Sequence, residues 1–187
     1  MNARVALVDA DQAPLLVRHL YEGGDPGVIA RALATVPELA VATLPFVGAA
    51  LGPGALPADI KEMAIFRTSA VLECRYCVDT HTVVAWDMGF TPAMVTALRD
   101  TPPGQRPPGL DERQAAAVAW IDALAVGRGT VDDQTWAAVS SVLADHQVVE
   151  LTVTVGATMF LNRLCTSLAL PTSPQTQARL AAAAVAP

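Results

Sequence analysis

Apolar residues recur along this chain at three- and four-residue intervals and rarely alternate with polar ones over strand-like lengths, so the pattern predicts helices. Alanine and leucine, strong helix formers, carry most of it. Pro14 suits the first turn of a helix running to about Tyr21, which Gly23-Gly24-Asp25-Pro26-Gly27 breaks, and further short helices follow. Leu51-Gly52-Pro53-Gly54 is a strong breaker, after which Pro57 opens a helix through Lys61 and Glu62 towards Leu72. The next helix carries Cys77, His81, Ala85 and Met88 and stops at Gly89, and Thr91-Pro92 starts another. Asp111 caps a helix through Trp120 and Leu124, Asp132 or Asp133 begins a further one, and Asp145 starts a long apolar helix. Pro171 to Pro187 reads as a peripheral helix with no assigned chemistry.

The expected architecture is a single all-α domain over residues 1–187. Thr101 to Gly109 holds four prolines and two glycines and reads as a linker near 101–110, between an N-terminal half, 1–100, and a C-terminal half, 111–187. Glu62, Cys74, Cys77 and His81 have the same offsets as Glu150, Asn162, Cys165 and Ala169, which raises the question of a duplicated helical unit; chance explains so short a match equally well.

Composition narrows the function. With 12 basic against 18 acidic residues the chain carries a net charge of −6 and has no field to hold a polyanion, so no nucleic acid partner is expected. Mean hydropathy is +0.39. Even so, Val28 to Leu56 is interrupted by Arg31, Glu38 and three prolines, and Val148 to Leu161 is short and carries Glu150, so no membrane association is expected. Met1 to Asp9 lacks a signal-peptide core, and the expectation is a cytoplasmic protein. Three cysteines make no disulfide framework, and in a reducing compartment the close pair Cys74 and Cys77 points to redox or metal chemistry.

Cys74-Arg75-Tyr76-Cys77 is a C-x-x-C, with His81 one helical turn beyond Cys77 on the same face. Neighbours at i and i+3 lie within the separation a disulfide tolerates, and a helix N-terminus or nearby imidazolium favours the thiolate. Cys77 is expected to attack, and Cys74, at the more exposed helix mouth, to resolve the sulfenic acid. Glu62, one helix upstream, can orient His81 as the proton acceptor; Glu73 is the rival, disfavoured by its adjacency to Cys74.

Glu62-x11-Cys74-x2-Cys77-x3-His81, within KEMAIFRTSAVLECRYCVDTHTVVAWDMGFT, resembles the core signature of the alkylhydroperoxidase D and carboxymuconolactone decarboxylase superfamily, and DERQAAAVAWIDALA and DHQVVELTVTVGATMFLNRL resemble flanking helices of its peroxidase-related branch. The resemblance implies a compact all-α bundle and homo-oligomers, trimer or hexamer favoured. It implies a hydroperoxide substrate, attack by the residue matching Cys77, restoration by a dithiol reductant, and no cofactor. Tyr76 departs from the histidine found there in the best-known member; as a poor base at neutral pH it is a substrate or relay contact that implies a lower rate or another substrate.

Three readings therefore stand: a thiol peroxidase, a lactone decarboxylase or isomerase using Glu62 and His81 alone, and a zinc-binding or redox-sensing helical oligomer. Zinc needs a fourth ligand beyond Cys74, Cys77 and His81, such as Cys165 or Glu62. Cys165 itself reads as a buried core residue. Arg67 and Arg163 read as structural ion-pair partners, Trp86, Trp120, Trp136 and Phe160 as core or interface, and His19 and His146 carry no chemistry.

Overall fold

In the computed structural model, which describes residues 3–127 and 129–185, short helical turns at Ala10–Gln12 and Leu15–Tyr21 precede nine α-helices. These are α1 (Val28–Leu33), α2 (Pro37–Leu51), α3 (Ala58–Val71), α4 (Arg75–Asp87), α5 (Pro92–Asp100), α6 (Glu112–Val126), α7 (Asp133–Ser140), α8 (Asp145–Ser167) and α9 (Pro174–Val185). No strand occurs among the described residues. The caps follow the expected chemistry. Thr91 accepts a hydrogen bond from the Met94 amide, Asp111 and Gln114 form a reciprocal capping box, and Asp132 accepts from the Thr135 amide.

Two local expectations change. The segment after Pro14 is a 3-10 helix, because only Val17 in it is buried and little packing favours a full α-helix. Pro45 does not interrupt its segment but lies inside α2, on the exposed side, where water can satisfy the carbonyl left without a donor.

Helix α3 runs through the middle of the bundle, packed by α4, α5, α6 and α8, and every residue from Ile60 to Ser69 is buried. That burial encloses polar groups, each of which must find a partner. Arg67 pairs with Asp122 on α6 through bonds of 2.7 and 2.8 Å, and donates to the carbonyls of Leu98 and Thr101; the Gly104 amide completes the cluster on Asp122. The Pro-rich connection after α5 is thus tied to the core. Lys61 pairs with Glu150 on α8, whose carboxylate also accepts from the amides of Ala55 and Leu56. A Cβ at Gly54 would stand 2.1 Å from the Glu150 carboxylate and would displace it from these partners. Arg163, by contrast, is exposed and forms no ion pair among the described residues.

A main apolar cluster joins α3 to α8, and a smaller one surrounds the cysteines with Ala32, Leu170 and their neighbours. Helix α8 is long and apolar enough to cross a membrane by length and composition, yet half of its most apolar window is buried against the other helices. The offset match between Glu62–His81 and Glu150–Ala169 covers unlike local structure. The first stretch contains the break between α3 and α4, whereas α8 runs unbroken through Asn162 and Cys165.

Candidate active site

Helix α3 ends in a tight reversal. The amides of Glu73 and Cys74 donate back to the carbonyls of Ala70 and Ser69, and Glu73 takes a left-handed conformation, φ 55°. This turn places Cys74 at the N-cap of α4 and sends α4 back along α3. Its first turn then carries Cys77, and its second brings His81 to Glu62 near the start of α3. His81 Nδ1 lies 2.8 Å from Glu62 Oε1, which leaves the opposite ring nitrogen available to a reacting group. Glu73, on the exposed reversal, makes no bond to His81. No hydrogen bond joins His81 to a cysteine, although the i, i+4 register keeps it on the Cys77 face of α4.

All three cysteines are free and buried, and their Sγ atoms lie within 4.8 Å of one another. Cys165, expected as an inert core residue, comes from the last part of α8 to complete this cluster. The only sequence signal for it was the offset shared with Cys77, because proximity between α4 and α8 is a tertiary fact. Asn162, one turn earlier on α8, is also buried; its Nδ2 donates to Ser69 Oγ at 3.1 Å, and its Oδ1 has no partner.

Electrostatics separates the thiols. Hydrogen bonds from Cys165 and Cys77, with support from the Cys77 amide and Thr166, outweigh burial and draw Cys74 down to about 3. For Cys77 a hydrogen bond from Cys165 favours the anion, but the Cys74 sulfur and burial prevail and push it up to about 12. Cys165 is also raised, by Cys74, Cys77 and burial. The three thiols titrate as one coupled cluster, in which the surroundings of Cys74, at the positive end of α4, favour its anion over those of Cys77 and Cys165. Cys74 is 0% exposed against 5% for Cys77, so it is not the more exposed of the two as expected, and the direction of the shifts favours the anion on Cys74.

A cavity of about 350 Å³ opens onto Cys74 and Cys165, with Tyr76, Arg4, Arg75 and Thr172 in its wall. Cys77, His81 and Glu62 do not border it. Burial, followed by the nearby cysteines, pushes Tyr76 up to about 12, so at neutral pH its hydroxyl is a donor and no base. None of Trp86, Trp120, Trp136 and Phe160 lines this cavity; Trp120 is core, while Trp136 and Phe160 are exposed.

The depressed Cys74 has a measurable consequence. Its alkylation by iodoacetamide is expected to be nearly independent of pH between about 5 and 8, because the thiolate fraction is already complete there. A rate rising tenfold per pH unit up to about 8.5 would mean an ordinary thiol. A group whose folded value is depressed stabilises the fold above its unfolded value, near 8.5, and that contribution fades as the pH falls towards about 3.

Residues 37–123, which include Glu62, the cysteine pair and His81, match the Carboxymuconolactone decarboxylase family. No curated protein matches the chain. Among solved structures, an uncharacterized peroxidase-related protein from Silicibacter sp. TM1040 is similar with a TM-score of 0.79 and 18% identity, covering 93% of each chain. A peroxidase-related protein from Ralstonia eutropha JMP134, described as an alkylhydroperoxidase AhpD core, gives 0.73 and 18%, covering 93% of this chain and 94% of its own. The debrominase Bmp8 in complex with 2,3,4-tribromopyrrole gives 0.76 and 18%, covering 96% and 97%.

Proposed function

We propose that this chain, whose residues 37–123 match the Carboxymuconolactone decarboxylase family, is a thiol-dependent peroxidase. The observation that carries the reading is the cavity bordered by Cys74 and Cys165, whose sulfurs cluster with that of Cys77, together with the hydrogen-bonded Glu62–His81 pair on the adjoining helices.

Cys74 attacks one oxygen of a hydroperoxide; the O–O bond breaks, an alkoxide leaves and takes up a proton as the alcohol, and Cys74 becomes a sulfenic acid. Cys77 resolves it. A thiol raised to about 12 is a poor nucleophile until a base takes its proton, and His81, held by Glu62 one turn along α4, is placed for that task. Sulfur–sulfur bond formation expels water, so two thiols and one hydroperoxide give one disulfide, one alcohol and one water. An external dithiol then reduces the disulfide. This order reverses the roles implied by family resemblance, for the reason that the cavity reaches Cys74 and not Cys77.

The decarboxylase reading, which needs Glu62 and His81 alone, is less favoured because neither residue borders the cavity. The likeness to a debrominase adds a second electrophile class. The same thiolate can accept bromine from an electron-rich bromoarene, whose carbon takes a proton, and disulfide formation then releases bromide.

Titration of free thiols tests the proposal. The reduced protein is expected to fall from three free thiols to one after one equivalent of hydroperoxide and to recover three with excess dithiol; three thiols unchanged after exposure would sink it. We also propose that the chain works in the cytoplasm as a homo-oligomer. Helix α2 has Glu38 as its single charged residue and exposes Leu39 and Phe46, and α8, packed beside it, exposes Val149, Val153 and Phe160. A surface of that kind fits a second copy of this chain.

A further inference from the structure

The cysteine that redox chemistry of a C-x-x-C does not call for is as well placed as the one it does. Cys165 lies 91 residues beyond Cys74 in sequence, yet its Sγ belongs to the same cluster, within 4.8 Å of the other two. It also borders the cavity together with Cys74, while Cys77 does not. Around the three sulfurs the packing is apolar, with Ala32, Leu170, Leu168 and Ile29 in contact, so a sulfenic acid formed on Cys74 is sheltered from most other nucleophiles. The two sulfurs nearest to it are those of Cys77 and Cys165.

We propose that Cys165 is a third redox thiol, a second resolving cysteine that forms a Cys74–Cys165 disulfide facing the cavity. This rests on the peroxidase reading and deepens it. Two balanced routes lead to that bond. In the first, the Cys165 thiol condenses with the Cys74 sulfenic acid, its sulfur displaces the hydroxyl group, and its proton leaves with that group as water. In the second, the Cys165 thiolate attacks Cys74 of a Cys74–Cys77 disulfide; the old bond breaks, Cys77 departs as thiolate, and it takes up the proton that Cys165 released, with no net change in oxidation state. Either route ties α4 to α8 and moves the oxidised bond from the interior to the cavity wall. Both residues of that bond border the cavity from which a reductant approaches, and Cys77 is returned to the reduced state one turn before His81. Of the Cys74–Cys77 bond, in contrast, only Cys74 borders the cavity.

Trypsin reads the three possible bonds directly, because Arg75 separates the two close cysteines. Cys74 falls in peptide 68–75, Cys77 in 76–99 and Cys165 in 164–179. The full chain and its Cys77→Ser variant are reduced, desalted, treated with one equivalent of hydrogen peroxide, alkylated and digested. The wild type is expected to yield peptide 68–75 linked to 164–179 alongside 68–75 linked to 76–99. The Cys77→Ser variant is expected to lose both of its thiols to the first of these links and to migrate faster on a non-reducing gel, as a 91-residue loop closes. Cys165→Ala should remove that link and leave the short one.

A Cys77→Ser protein that carries a dimedone-trapped sulfenic acid on Cys74 with Cys165 still free, and a wild type that shows only the short link, would overturn the proposal while leaving the peroxidase reading intact. Wild-type thiols that do not react with peroxide at all would overturn that reading and the proposal together. A stoichiometric metal ion held by the three sulfurs in the purified protein would do the same.

Discussion

Cys74→Ser is expected to reduce peroxide turnover by at least about 10³-fold, because serine at this position has no thiolate to attack with at neutral pH. The size of the loss follows from the cluster. With Cys74 removed, the cavity is bordered only by Cys165, which burial and Cys77 still raise, while Cys77, although relieved of the Cys74 sulfur, does not border it. The contrast with His81→Ala makes the assignment specific. That variant should retain the first, single-turnover oxidation of Cys74, which needs no base, and slow the resolving step by roughly 10²-fold or more, as expected for loss of a general base. Rapid-mixing measurement of sulfenic acid formation and of disulfide closure separates the two steps. A Cys74→Ser protein that still forms one sulfenic acid at the wild-type rate would return the attacking role to Cys77.

Asp122→Ala is the substitution expected to cost most stability, about 3–5 kcal/mol, since it strands the Arg67 guanidinium without a counter-charge where its side chain is 0% exposed. For a chain of this length 1 kcal/mol moves Tm by about 2–4 °C, so a fall of roughly 10 °C in thermal denaturation is the expected result. Three further bonds share the fate of the pair. Arg67 also holds the carbonyls of Leu98 and Thr101, and Asp122 holds the amide of Gly104, so the connection after α5 should become an early site of proteolysis. Replacing both partners with apolar residues, Arg67→Met with Asp122→Leu, should recover a large part of the loss, because the cost lies in an unpaired buried charge more than in the missing attraction. If Asp122→Ala melts within about a degree of the wild type, the guanidinium has found another partner or water.

Local signals in the chain account for the helices around the site. Proline and glycine punctuation, and acceptor side chains at Thr91, Asp111 and Asp132, mark ends that depend only on residues a few positions away. The pairing of Glu62 with His81 was also legible, since a helix, a short reversal and a returning helix bring residues of that spacing together. The misread parts share one property. The behaviour of Pro45, the weak helix after Pro14 and the lack of an ion pair at Arg163 each depend on which face of an element meets solvent, and periodicity alone does not say which neighbour covers it.

By itself, then, the amino-acid sequence determined an all-α chain and a motif with sulfur, imidazole and carboxylate at helical spacings, because hydrogen-bonding period and side-chain register are local properties of a polypeptide. Tertiary structure alone decided that Cys165 joins Cys74 and Cys77, that the surroundings favour the anion on Cys74, and that the cavity is bordered by Cys74 and Cys165 and not by His81. Charge location and access depend on what packs around a group from distant parts of the chain, and here α8 supplies the thiol that shifts both.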